Sequence, residues 1–153
     1  MPNYDFKLDL SLSRKSQKEI ARLLEKTYNA KILEDDNDTS EYDILAIIKE
    51  KRYSFEIKDD YMAEKTGNIA IEYFSRGKPS GISTTQADFY IYIINTVKKE
   101  NYCYMIKVSK LKELIKDNLF FRSVDGGDKG SHTLCYLFKE NIFSKYSRRL
   151  YVK

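Results

Sequence analysis

The chain contains no tryptophan, two cysteines and one histidine among its 153 residues. Cys103 and Cys135 are far apart and match no metal-ligand spacing, and two isolated cysteines fit a reducing cytosol. The N-terminus, MPNYDFKLDL, lacks the apolar core of a signal peptide, and no run approaches the roughly 18 apolar residues of a membrane span. We therefore expect a cytoplasmic protein that does not span a membrane.

Charge is nearly balanced over the whole chain but unevenly distributed along it. The formal net charge is +4, from 27 Lys and Arg against 23 Asp and Glu, which does not by itself imply a nucleic-acid partner. Acidic residues cluster at Glu34, Asp35, Asp36, Asp38, Glu41 and Asp43, and basic ones near the C-terminus at Lys139, Lys145, Arg148, Arg149 and Lys153. This distribution is compatible with an acidic site on a basic protein.

The thirteen tyrosines and eight phenylalanines could stack on bases, but we interpret most of them as strand residues that pack a sheet. The C-terminal KYSRRLYVK fits two alternatives, a nucleic-acid-binding edge or a solvated terminal strand.

The hydrophobic pattern predicts one domain over residues 1–153, because neither a linker nor an internal repeat is visible. Apolar residues at helical spacing predict a helix over about 13–28, capped by Ser11 or Ser13. Strands are predicted over 43–48, 53–58, 68–74, 87–95, 101–108 and 133–138, and a second helix over 110–118. The order α-β-β-β-β-β-α-β predicts an α/β fold with a mixed central sheet flanked by helices.

The stretch Tyr53-Ser54-Phe55-Glu56-Ile57-Lys58 alternates with period two, so Glu56 and Lys58 point to the same face of a strand. Asp43 begins the preceding strand, and the hairpin turn KEKR should bring it close to Glu56. Two converging carboxylates repel each other unless a cation lies between them, and hard divalent ions prefer such oxygens. A neighbouring lysine can hold the attacking water or stabilise charge on a phosphate. The set suits metal-assisted phosphodiester hydrolysis; the alternative is a solvent-exposed Glu56–Lys58 pair, worth about 0–1 kcal/mol.

The segment YDILAIIKEKRYSFEIK resembles the motif of the PD-(D/E)xK nuclease superfamily, with Asp43 and Glu56 as its acids and Lys58 as its lysine. Tyr42 stands where the superfamily has proline. Over about residues 13–95 the chain is similar to archaeal-type Holliday junction resolvases and related phage proteins. The resemblance implies a restriction-endonuclease-like fold, and Mg²⁺ or Mn²⁺ held by Asp43, Glu56 and the carbonyl of Ile57.

The same resemblance implies a third acid on the first helix, within RKSQKEIARLLEK. Glu19 is the residue we assign to that position, as a metal ligand and catalytic residue, with Gln17 and Glu25 as alternatives. It also implies a homodimer that acts on DNA, with branched DNA as one substrate. A phage or mobile element would suit the lysine- and tyrosine-rich chain.

The loop SRGKPSGIST offers small and basic residues that can contact a DNA backbone. The predicted contacts are Arg76, Lys78, Ser80, Ser83 and Thr84. Resolvase-like phage proteins carry a similar Ser-Gly segment, although a simple turn is the alternative.

Four further residues lie near these motifs without a decided role. Glu72 could face the metal site if its strand adjoins that of Glu56, or be an exposed acid. Thr85 could line the same site, and Lys129 and His132 could meet a nucleic-acid backbone, although a loop histidine without a catalytic role is the favoured interpretation.

These patterns together predict a metal-dependent DNA endonuclease. The alternatives are a non-catalytic nucleic-acid-binding module on the same fold and a restriction- or defence-type nuclease. Branched, single-stranded and sequence-specific duplex substrates fit the sequence equally.

Overall fold

The structure is a computed structural model that describes residues 6–35, 41–126 and 132–152, with side chains from residue 12 onward. Asp36, Asp38, Lys129, Lys153 and the side chain of Ser11, which entered the predictions above, lie outside the described residues.

Helices and strands have the following bounds in the described part of the chain. The helices are α1 (Phe6–Tyr28), α2 (Ala63–Thr66), α3 (Val108–Lys116) and α4 (Glu140–Phe143). The first five strands are β1 (Lys31–Glu34), β2 (Ile44–Ile48), β3 (Lys51–Asp60), β4 (Asn68–Ser75) and β5 (Lys78–Pro79). The others are β6 (Phe89–Ile94), β7 (Tyr102–Lys107), β8 (Arg122–Gly126), β9 (Thr133–Lys139) and β10 (Arg148–Tyr151).

The strands form two sheets. The central sheet has the order β1-β2-β3-β6-β7-β10, and the second sheet the order β5-β4-β9-β8. Within the central sheet β3 and β6 are parallel and the other neighbours antiparallel, which confirms the predicted α/β class with a mixed central sheet. Helices flank the central sheet as predicted, since α1 covers one face and α3 and α4 lie on the other, where a second sheet packs with them.

Strand β6 explains why both faces must be covered. Its side chains alternate, so Ile91 and Ile93 pack with α1, whereas Tyr90 and Tyr92 pack with the second sheet. All four are buried. Most of the aromatic residues in these strands are therefore core residues, as we interpreted them.

Helix α1 ends at Tyr28 as predicted but begins earlier, at Phe6. Its end is set by Asn29, whose left-handed φ of 55° lets the amide of Ala30 donate to the carbonyl of Leu24 at 3.3 Å. The predicted cap at Ser11 or Ser13 is wrong, because both lie within the helix, where serine costs less than about 0.7 kcal/mol.

The β2–β3 hairpin has the predicted turn, but only two residues form it. Lys49 and Glu50 both have left-handed φ, 52° and 68°, as in a type I′ turn. Ile44 pairs with Phe55 across the hairpin, so Asp43 precedes the first paired residue of β2. In the described part of the chain, no helix is both long enough and apolar enough to cross a membrane.

Candidate active site

Asp43 is fixed across the end of the β2–β3 hairpin. Its amide donates to the carbonyl of Phe55 at 2.8 Å, and its Oδ2 accepts a hydrogen bond from the amide of Ile57 at 2.8 Å. Phe55 is the last residue of β3 that pairs with β2, so the amide of Ile57 has no backbone acceptor in β2. The Asp43 carboxylate accepts its hydrogen bond instead. The orientation of Asp43 is thus set by the hairpin register.

Glu56 lies beside Asp43, and the two carboxyl groups are hydrogen-bonded to each other. The hydroxyl of Thr85 donates to Glu56 Oε1 at 3.0 Å. Burial first, and then the charge and hydrogen bond of Asp43, raise the pKa of Glu56 to about 8, against smaller opposing effects of Thr85 and Lys58. The pair therefore holds a proton near neutral pH when no cation is bound.

Lys58 lies on the same face of β3 as Glu56, as the alternation predicts, and lines the same cavity. The intervening residues face the other way, since Phe55 is buried under α1 and Ile57 packs against the same cluster. The side chain of Lys58 is exposed, whereas Glu56 is half-buried. An acid pair and the ammonium group of Lys58 thus share one wall of the cavity.

An open cavity of about 670 Å³ connects these residues to the second sheet. Glu72 also lines it, but from the opposite wall, because β4 pairs with β9 and β5 and does not adjoin β3. The phenol of Tyr90 contributes to the floor, and its pKa is raised by burial and by the charges of Glu56 and Glu72. The cavity is therefore rich in acidic oxygen atoms.

Glu19, predicted as the third acid, does not line this cavity. Its carboxylate lies 3.8 Å from the ammonium of Lys15 and lines another cavity, of about 530 Å³, with Glu64 and Lys99. At 3.6 residues per turn, Glu19 lies roughly 200° around the helix from Gln17, and Gln17 is the residue that faces the site. Glu25, the other alternative, is exposed.

Gln17 is 7% exposed, and its Nε2 donates to Asp43 Oδ1 at 3.4 Å. Its Oε1 is buried, and it has no hydrogen-bond partner among the described residues. Helix α1 thus presents an amide, not a carboxylate, to Asp43.

The loop after β4 supplies only part of the predicted DNA contacts to this cavity. Lys78, Ser80 and Thr84 line it, and Ser80 Oγ is buried with no hydrogen-bond partner in the part of the chain that the structure describes. Arg76 is exposed in the β4–β5 turn with a φ of 54°, and the hydroxyl of Ser83 donates to the carbonyl of Tyr73 at 2.8 Å. The structure therefore places Arg76 and Ser83 outside the cavity lining.

Gly81 holds this loop close to β4. A Cβ on Gly81 would lie 2.2 Å from the carbonyl oxygen of Glu72, and its φ is +54°. Both facts require glycine here. The Ser-Gly pair is thus a packing requirement as well as a part of the cavity wall.

Thr85 is the site residue that the sequence pattern did not distinguish. It is 5% exposed and contacts Glu56, although it lies 29 positions away in the chain. Its position depends on β6 pairing with β3, which no local pattern reports. His132, by contrast, is exposed and lies 3.5 Å from Asp125, outside the cavity lining.

The donor set fits a hard divalent cation. Asp43 and Glu56 supply carboxylate oxygens, and Mg²⁺ is commonly held by one or two carboxylates with waters completing its octahedron. The pKa of Glu56 is raised by burial and then by the charge of Asp43, and a cation would offset both effects. Over residues 6–35, 41–126 and 132–152, no three His, Cys, Asp or Glu side chains form a metal-ligand cluster, so two acids are the basis of this fit.

No family model matches the chain, and no curated protein matches its sequence. Among solved structures it is similar to a bacterial homing endonuclease, I-Ssp6803I, with a TM-score of 0.44 and 13% sequence identity. The alignment covers 98% of this chain and 79% of that chain.

Proposed function

We propose that this protein is a metal-dependent endonuclease that hydrolyses phosphodiester bonds in DNA. The observation that supports the proposal is the hydrogen-bonded pair of Asp43 and Glu56 beside Lys58 in an open cavity. A half-buried pair of acids is unfavourable unless a proton or a cation neutralises it. Such an arrangement at the bottom of an accessible cavity is typical of a functional site.

Asp43 and Glu56 are the residues that would hold Mg²⁺ or Mn²⁺, with the carbonyl of Ile57 as a third oxygen. When bound, a divalent cation there supplies an activated water and stabilises negative charge on the phosphate. The amide of Ile57 fixes the Asp43 carboxylate in place, so little reorganisation is needed.

Lys58 has a different role from that of the acids. Its ammonium group carries three donors and no acceptor, so it cannot ligate a cation. It can orient the attacking water or stabilise charge on the phosphate from the same strand face as Glu56.

The opposite wall of the cavity is suited to the phosphate backbone. Lys78 supplies a positive charge, and Ser80 and Thr84 supply hydroxyl groups. Arg76, exposed in the adjoining turn, extends the basic surface. Ser83 would contribute through its backbone, since its hydroxyl is bonded to Tyr73.

The finer part of the proposal rests on the resemblance to PD-(D/E)xK resolvases. It adds a two-fold homodimer and branched DNA to the endonuclease activity. Sedimentation with and without a four-way junction tests the first, and the preferred substrate in the assay below tests the second.

The test is cleavage of a four-way junction, a flap, a single strand and a plain duplex with Mg²⁺, Mn²⁺ or EDTA. We expect metal-dependent cleavage by the wild type and a loss of at least about 100-fold in Glu56→Gln and Lys58→Met. Lys51→Met is the matched control, because Lys51 is an exposed lysine of the same strand that does not line the cavity. Cleavage by Lys58→Met at the wild-type rate would show that the assigned mechanism is wrong. Binding of DNA without cleavage under any condition would favour the non-catalytic module.

A further inference from the structure

Three polar side chains are nearly fully buried in the described part of the chain: Gln17, Ser54 and Thr85. Burying a polar group costs free energy unless it is hydrogen-bonded, so the partners of these residues are informative. Ser54 is bonded to Asp88, in the strand-to-strand packing of β3 and β6. Thr85, in contrast, donates to a carboxylate in the candidate active site.

Two hydrogen bonds determine the direction of the Thr85 hydroxyl. Its oxygen accepts the amide of Ala87 at 3.2 Å, and its hydrogen has Glu56 Oε1 as the nearer acceptor at 3.0 Å. The carbonyl of Glu41 is a more distant acceptor at 3.4 Å. The hydroxyl is therefore held so that it donates to Glu56.

Thr85 also belongs to the loop that forms the opposite wall. Its backbone amide donates to the carbonyl of Gly81 at 3.0 Å, and Gly81 packs directly on the backbone of Glu72. Glu56 and the loop with Ser80 and Thr84 are thus connected through one threonine. No other described hydrogen bond joins the Glu56 side chain to that loop.

We infer that Thr85 is the positioning residue for Glu56. Its hydroxyl fixes one oxygen of the carboxylate and leaves the other for a divalent cation beside Asp43. The inference rests on the proposed metal-dependent function. It also ties the orientation of Glu56 to the loop that would contact phosphate, so displacement of that loop changes the metal site.

The test measures Mn²⁺ binding without DNA, by calorimetry and by the electron paramagnetic resonance spectrum of the bound ion. Thr85→Val keeps the shape and removes the hydroxyl, and we expect it to weaken Mn²⁺ binding by about 10- to 100-fold, the usual effect of losing a group that orients a metal ligand. Thr85→Ser keeps the hydroxyl and should restore binding to near the wild-type level.

Ser54→Ala is the matched control for a purely structural effect. Like Thr85, Ser54 accepts a backbone amide and donates to a carboxylate, here Asp88. It should lower the unfolding temperature in EDTA, as Thr85→Val does, without changing Mn²⁺ affinity. All titrations are made below the unfolding temperature of every variant.

Each outcome has a distinct meaning. If the wild type binds neither Mn²⁺ nor Mg²⁺, the proposed function fails and the inference with it. If the wild type binds Mn²⁺ and Thr85→Val binds it equally well, the role of Thr85 is disproved while the proposed function stands. Equal weakening by Thr85→Val and Thr85→Ser, or by Ser54→Ala, would also overturn the inference, because the hydroxyl would not be the cause.

Discussion

Strand β3 carries two acids on the same face, and their surroundings are opposite. Asp60, at the end of the strand, accepts hydrogen bonds from the amides of Met62 and Ala63 at 2.6 and 2.9 Å and from the phenol of Tyr92. Glu56, four residues earlier, has one hydroxyl donor and another carboxyl group as its neighbour.

The difference separates a structural acid from one that needs a partner. Three hydrogen-bond donors stabilise the negative charge of Asp60. Burial raises the pKa of Tyr92, and the charge of Asp60 raises it further. Around Glu56, burial and the neighbouring Asp43 carboxyl group outweigh the one hydroxyl donor and Lys58, so the pKa of Glu56 rises. A half-buried acid is a candidate metal ligand when its neighbours lack donors, and a structural group when they supply them.

Removing the charge of Asp43, the partner of Glu56, and separately the charge of Asp60 should have the largest effect. Asp43→Asn should weaken Mn²⁺ binding by at least about 100-fold and change the stability of the metal-free protein little, since an amide oxygen can still accept from Ile57. Asp60→Asn should leave Mn²⁺ binding unchanged and lower the free energy of unfolding by about 1.5–3 kcal/mol, because both oxygens of Asp60 accept hydrogen bonds and the amide nitrogen cannot replace the charged acceptor of Tyr92. Calorimetry and urea denaturation measure the two quantities. The comparison is broken if Asp60→Asn weakens Mn²⁺ binding as much as Asp43→Asn does.

The pH dependence of stability should sharpen the comparison. The folded-state pKa of Glu56 is raised from 4.5 to about 8, so its contribution to stability is fully present below about pH 4.5 and is lost as pH rises through about 8. Metal-free wild type should therefore lose stability over this range relative to Glu56→Gln, which has no proton to release there. Saturating Mn²⁺ should reduce the loss, because the cation replaces the proton.

Urea denaturation of both proteins between pH 5 and 9, in EDTA and in Mn²⁺, measures this difference in the free energy of unfolding. These pH values span most of the range between the ordinary pKa and the raised pKa of Glu56. Parallel curves for wild type and Glu56→Gln in EDTA would mean that Glu56 is not protonated in the folded protein.

The sequence predicts the half of the site that is local and misses the half that is not. Asp43, Glu56 and Lys58 come from one hairpin, where period-two alternation and the turn determine which side chains meet. Thr85 and Glu72 reach the cavity through the β3–β6 pairing and the second sheet, and neither follows from local periodicity. The sequence predicts that Glu72 faces the site if its strand adjoins β3. Glu72 does line the cavity, but its strand, β4, belongs to the second sheet.

The strands that the hydrophobic pattern does not predict, or in the case of β10 leaves open, share a position. β1, β5, β8 and β10 are the edges of the two sheets. Most of their residues are exposed, and only Leu150 is buried among them, so they show no apolar alternation. The C-terminal segment forms β10, an edge strand that is exposed except at Leu150. Because few side chains of these edge strands are buried, their sequences lack the alternation of apolar and polar residues from which a strand is predicted.

Two residues of α1 provide the test with the smallest expected effect. Glu19→Gln should change the free energy of unfolding by no more than about 1 kcal/mol, because Lys15, its ion-pair partner at 3.8 Å, is exposed, and it should leave Mn²⁺ binding unchanged. Gln17→Met keeps the volume of the side chain but removes the hydrogen bond to Asp43, so it should weaken Mn²⁺ binding several-fold. It also removes the buried amide oxygen that has no partner among the described residues, which limits the loss of stability. Calorimetric titration of both variants measures this, with Glu25→Gln as an exposed control on the same helix. If Glu19→Gln abolishes Mn²⁺ binding and Gln17→Met does not, Glu19 is the ligand that α1 supplies. The resemblance to the resolvases would then have identified this ligand correctly, and the contact of Gln17 with Asp43 would not mark it.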